Sequence, residues 1–253
     1  MSAPERASED APERAPEGER ASPRRAAANT SGASPTRFEG FGPAVTDWFL
    51  ALESDNSRAF WVATRDVWRR DVRLPLEALF EELAAESGAR VKLFRPQRDM
   101  RFASGRGPLK PQAGGLLRLP GSIASRYAEV SLEGFYAGSG VYRFERDQLE
   151  RYREAVSDEQ RGGTLQRLIA AGSEAGLEAG GDALVTAPRG VPRDHPHIVL
   201  LRRKGLFLGA SMPPGSELET RAPLGHSRRV WAAATEVVGW LDRHVGPSEL
   251  ERV

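Results

Sequence analysis

The chain has 253 residues, 40% hydrophobic and 28% charged, with 36 basic and 35 acidic side chains and a net charge of +1. That composition supports a sizeable packed core, and the balanced charge argues against a nucleic-acid binder, which carries a basic domain or stripe. With no cysteine, disulfides, thiolate zinc sites and thiol nucleophiles are excluded.

No apolar run approaches the roughly 20 residues of a membrane span, and no secretory-type segment opens the sequence. The expectation is a soluble, cytoplasmic protein without membrane contact. Only three of the basic residues are lysines, Lys92, Lys110 and Lys204. The arginine excess looks like coding bias, so an isolated arginine says little.

Residues 1–37 are expected to be a disordered tail. "APERA" begins at Ala3 and again at Ala11, and no large apolar residue follows Met1. Such a segment cannot bury enough apolar surface to offset its ordering entropy. From Phe38 on, Val45, Trp48, Phe49 and Leu52 recur at helical spacing, and Asp55 and Asn56 are suited to cap a second helix. That helix carries Phe60, Trp61, Thr64, Trp68 and Val72. Pro75 opens or kinks a further helical run with Leu76, Leu79, Phe80 and Leu83, stopped at Gly88.

Short strands are expected at residues 91–95, 100–102 and 114–119. Over 127–144, Tyr127, Glu129, Ser131 and Glu133 alternate with Ala128, Val130 and Leu132. Gly134 and residues 138–140 fit turns or bulges. The short spacing implies antiparallel pairing. Helices follow with Leu149, Tyr152 and Val156 and in "GTLQRLIAAGS", then a strand at 183–186, a short helix over 197–203 capped by Asp194, and a strand in "GLFLGASM". A last helix carries Val230, Trp231, Ala234, Val238, Leu241 and Val245 on one stripe, ending at Gly246-Pro247. The sum is an α+β fold: a mostly antiparallel sheet flanked by helices from both termini, in one domain over 38–248.

Few motifs carry chemistry. "DHPH" sets His195 and His197 two apart, but no HExxH-type spacing supplies further ligands, so no metal is expected and the segment reads as a helix entry. His226 and His244 read as surface residues at the ends of the last helix. No nucleophile elbow, phosphate loop or dinucleotide fingerprint is present, and no cofactor is expected. The pair Glu81–Glu82 reads as a solvated helix face.

What remains is "RPQRDMRFASGRGPLK", with five cations, one acid and two glycines. Arginines grip carboxylate or phosphate in bidentate fashion, a lysine adds a point charge, and glycines let the backbone approach. The stretch therefore reads as an anion site, or else as a solvated hairpin.

Taken in order, "DNSRAFW", "PLEALFEEL", this central stretch, the glycine-rich strand pair and "RGVPRDHPHIVLLRRKGLF" resemble a widespread, mainly bacterial family, domain of unknown function 2461. The likeness runs over roughly residues 38–245. Its central motif is approximately R-D-x-R-F-S-x-D-K-[ST]-P-Y-K. Arg98, Asp99, Arg101, Phe102, Pro108 and Lys110 match, and Arg106 replaces a lysine. Gly105, Gly107 and Leu109 stand where the family has an acid, a small hydroxyl residue and a tyrosine. Asp194, His195, Pro196 and Lys204 match a later family region. The resemblance implies a shared α+β fold and no particular activity.

Two expectations follow. In the first, Arg98, Asp99, Arg101, Arg106 and Lys110, joined by Lys204, hold a small anionic ligand, a phosphate or a carboxylate; catalytic residues are not assigned. In the second, the same motif is a structural ion-pair network in a scaffold or interaction module, and protein partners are not named.

Overall fold

The computed structural model describes residues 37–99 and 107–250. The tail expected over 1–37, apart from Arg37, and the strand expected at 100–102 lie outside them.

The chain enters through α1 (Val45–Ser54), whose Val45, Trp48, Phe49 and Leu52 are buried as their spacing predicts. The cap of α2 (Arg58–Trp68) is neither Asp55 nor Asn56. It is Ser57, whose hydroxyl accepts from the Phe60 N–H at 3.1 Å. An Ncap must sit within reach of the N–H groups two or three residues on, and Asn56 has been turned to another task described below.

α2 runs through a π-helical turn, Arg69–Arg73, into α3 (Leu74–Ala85). Pro75 lacks the N–H that would reach back to the Asp71 carbonyl. That carbonyl accepts instead from the Gly42 N–H at 2.9 Å. The buried Asp71 side chain takes two 2.7 Å bonds from Arg70. Proline, π-turn and entering chain are thus one arrangement. Gly88, at φ +62, ends the run.

Six strands form one antiparallel sheet in the order β1-β2-β3-β4-β6-β5. They are β1 (Arg90–Leu93), β2 (Gln112–Arg118), β3 (Ser125–Ser131), β4 (Gly134–Val141), β5 (Glu178–Gly180) and β6 (Leu206–Met212). β3 and β4 join through Leu132 and Glu133, with Gly134 at φ +106. Residues 138–140 are not a turn: they lie inside β4, paired on both sides. The expected strand at 183–186 reduces to one bridge, Ala183 to Arg203, and the true edge strand is β5.

Helices cover one face. α4 (Arg146–Ser157) and α5 (Glu159–Glu174) follow β4, and a short α6 (Ile198–Leu201) precedes β6. Asp194 does not cap α6. His197 stands at its N-terminus, and its N–H donates to His195 Nδ1 at 3.0 Å. The single C-terminal helix of the sequence reading is two helices, α7 (Ala222–Ala233) and α8 (Thr235–His244), bent at Ala234 where ψ is −5°. α7 packs on β4 and β6, whereas α8 sets Trp240 against Tyr152 of α4 and donates its indole N–H to the Arg161 carbonyl of α5. One straight rod could not serve both.

Because side chains alternate across a strand, the helix-covered face carries Leu117, Ala128, Val130, Phe135, Ala137, Val141, Leu206, Leu208 and Met212, all buried in one core with the helices. His226 is not a surface residue. It lies in this layer, edge-on to Phe135, with Nε2 2.9 Å from the Ala210 carbonyl, and burial holds its pKa below the ordinary value. No described helix is long and apolar enough to cross a membrane.

Glu82, read as solvated, ties the ends together. It accepts from the Phe38 N–H at 3.1 Å and pairs with Arg221 and Arg228. The Arg221 hydrogen bond is the main cause holding its carboxyl below the ordinary value of 4.5. A depressed folded pKa adds stability that is full above the unfolded value and is lost as pH falls through the folded one. Glu82→Gln should therefore cost about 2 kcal/mol at neutral pH, with the difference from the parent shrinking below pH ~4.5. Urea unfolding at several pH values checks this, and a pH-independent difference would contradict it.

Candidate functional site

The central motif forms a hairpin between β1 and β2. Its arms close through a bridge between Gln97 and Leu109, with Arg98 N–H to the Pro108 carbonyl and Lys110 N–H to the Pro96 carbonyl, both at 2.8 Å. In an antiparallel ladder the residues of a non-hydrogen-bonded pair point their own N–H and C=O outward. The Leu109 groups do so and meet the Asn56 amide, which donates to the Leu109 carbonyl at 3.0 Å and accepts from its N–H at 2.9 Å. The Leu109 side chain is buried. Gly107 lies so close to Asn56 that a Cβ there would overlap its side chain. Two of the three family departures, Gly107 and Leu109, are thus packed against the α1–α2 junction, and Gly105 lies outside the described residues.

The other arm is held by Arg73 of the π-turn. Its Nη1 donates to the Phe94 carbonyl at 3.2 Å while Nε pairs with Glu77 at 2.7 Å. Arg73 also lines a groove of about 450 Å3 with Arg65, Arg69 and the edge-to-face pair Trp61 and Trp68, whose rings are 5.3 Å apart.

Lys110 Nζ stands 5.5 Å from the centre of the Phe94 ring, a cation–π distance. Phe94 packs 6.2 Å from Tyr127, and Tyr127 6.2 Å from Tyr136. The Tyr127 hydroxyl donates to the Glu129 carboxylate. Burial raises the pKa of Glu129 against the opposing effect of that bond, and raises both tyrosines. By register, Phe94, Gly114, Glu129, Tyr136 and Ser211 form one transverse row on the sheet face opposite the main core, and Lys92, Leu116, Tyr127, Gly138 and Gly209 form the next.

The expected site residues separate. Arg98, Asp99 and Lys110 share the hairpin. Arg101 and Arg106 lie outside the described residues. Lys204 does not join them: its Nζ is 3.0 Å from Asp182, and its backbone binds Asp182 and Phe144. It precedes β6 at the sheet end where β4 finishes, while the hairpin springs from the opposite end. His195 and His197 also lie apart, with His197 Nδ1 3.2 Å from Gln166. Among the described residues no group of three or more His, Asp or Glu side chains converges as a metal site. Sequence reading did not single out Tyr136, and took Asn56 only as a capping residue for the second helix. The alternation of Tyr127 with Glu129 was visible, but a neighbouring strand supplied the partner face.

Asn56 gives a test. In Asn56→Ala both Leu109 backbone groups lose their partner, at a cost of about 2 kcal/mol. Hydrogen exchange read by NMR should show the Leu109 amide losing protection while amides of α7 keep theirs. Unchanged protection at Leu109 would remove Asn56 from the hairpin's support.

A search of curated proteins returned no match. The family model of a conserved hypothetical protein matches residues 44–240, reaching from the end of the entering segment to α8 and including the hairpin and the sheet. The chain therefore belongs to the conserved hypothetical protein family DUF2461.

Proposed function

We propose that the protein binds a small anionic molecule, a phosphate or a carboxylate, where the hairpin meets the sheet face opposite the main core. The observation that carries this reading is the contact chain from Lys110 through Phe94 to Tyr127 and Glu129. It sets a motif cation beside a partly buried strip of hydroxyl and carboxyl groups. Arg98 leaves the same arm as Phe94, and arginine suits a planar or tetrahedral oxyanion. The stem below is braced at Asn56 and Arg73, so the cations sit on a positioned support.

The same bracing favours a second reading, in which the motif is a structural ion-pair network of a scaffold and no ligand binds. Thermal unfolding with inorganic phosphate and with citrate separates the two. Under the ligand reading stability rises with concentration, by about 2.7 kcal/mol at 100 times Kd, and Arg98→Ala/Lys110→Ala abolishes the rise. If neither anion stabilises the parent, or the variant responds equally, the ligand reading fails. If in addition Asp99→Asn alone destabilises the protein, the network reading gains.

A further inference from the structure

The sheet face beside the hairpin has a feature that anion binding does not use. Six of its positions are glycines, on four of the strands: Gly114, Gly134, Gly138, Gly140, Gly180 and Gly209. Glycine within a strand costs stability and packs nothing, so a cluster on one face needs a reason. At Gly138, Gly180 and Gly209 the reason is an aromatic ring, while Gly114 and Gly140 face the carbonyls of Ala128 and Leu206. Tyr136 lies across β4 and β6 with its hydroxyl over Gly209, and a Cβ at Gly138 would stand 2.9 Å from that hydroxyl. A Cβ at Gly180 would overlap the Phe207 ring, and one at Gly140 would stand 2.8 Å from Phe207 Cβ. Tyr142 stacks on Phe207 at an interplanar angle of 22° and is 41% exposed. Gly138, Gly180 and Gly209 therefore let Tyr136 and Phe207 lie along the sheet. Tyr127 stands beside Tyr136, inclined to it by 53°, with its hydroxyl on the Glu129 carboxyl.

The cations of this face lie along one edge, while Glu178 of β5, next to Gly209, stands at the other. Arg90, Lys92 and Arg118 lie on this face along β1 and β2, exposed, and the ion pairs among the described residues do not include them. Lys92 shares a row with Tyr127 two strands away, about 10 Å at ordinary strand spacing. A ring lying along the sheet, as Tyr136 does over Gly138 and Gly209, takes a flat base by offset stacking. A carboxyl beside that ring accepts hydrogen bonds from ring N–H groups. Cations about 10 Å to one side suit a phosphate joined to the ring by a sugar.

We propose that the occupant of this face is a mononucleotide, its base stacked over Tyr136, its N–H edge read by the neighbouring Glu129 and its phosphate turned to the cations of β1 and the hairpin. This rests on the anion reading above and names the ligand class for it.

Isothermal titration with AMP, ribose 5-phosphate and inorganic phosphate tests it on the full chain. AMP should bind about tenfold or more tighter than ribose 5-phosphate, the gain that base stacking supplies. Glu129→Gln and Lys92→Ala should each weaken AMP severalfold with the circular dichroism spectrum unchanged. AMP binding no tighter than ribose 5-phosphate overturns the proposal. So does AMP binding that both variants leave intact. If phosphate binds in an Arg98- and Lys110-dependent way with no gain from the base, the mononucleotide fails and the anion reading stands. If none of the three binds, both fall. Should Glu129→Gln lose its fold, Tyr127→Phe replaces it, since that variant removes only the hydroxyl that orients the carboxyl, and the same severalfold loss is expected.

Discussion

The structure depends on one constraint, the strict alternation of side chains across the six-stranded antiparallel sheet. Every helix end, bend and cap described here serves to bury one side of it. Leu117, Ala128, Phe135, Ala137 and Leu208 fall on that side because their neighbours do not, and a slip of one residue would exchange the two faces. The bend at Ala234 follows from the same demand. α7 must lie on β4 and β6, while α8 must close the gap over α4 and α5. The buried His226 follows too, because a helix pressed on the sheet places its inward side chains beneath it.

The opposite side is then free to be something else. Its residues are not a second core. They are glycines, tyrosines, a phenylalanine pair, a shielded glutamate and a border of cations. Keeping a carboxyl there costs desolvation, seen in the raised pKa of Glu129. The Tyr127 hydroxyl offsets part of that cost. A group kept in a sheet at such a cost is a candidate for function, since a merely structural position is served better by an apolar residue.

The hairpin links the two sides. Asn56 spends its amide on Leu109, and Arg73 spends one guanidinium arm on Phe94. Asn56 comes from the α1–α2 junction, and Arg73 from the helical segment that Pro75 and the π-turn reshape. π-turns inside helices recur at functional sites, and this one turns Arg73 toward the hairpin. The departures from the family motif look different in this setting. Gly107 gives Asn56 room, and Leu109 is a buried stem residue, so this chain has given those positions to support.

By itself the sequence determined the α+β class, the antiparallel sense of the sheet, most helices and the family. Those depend on periodicity, spacing and local motif, which read along the chain. It also showed Arg98, Asp99 and Lys110 as one group, because they lie within one hairpin. Only the tertiary structure separated Lys204 from them, set Asn56 against Leu109 across 53 positions, and put Tyr136 beside Glu129. It also turned Glu82 from a surface acid into the tie between Phe38 and Arg221. The physical reason is common to all four. Each depends on which strand or helix lies alongside, and long-range register is decided by how the whole sheet buries its face, not by the residues next in the chain.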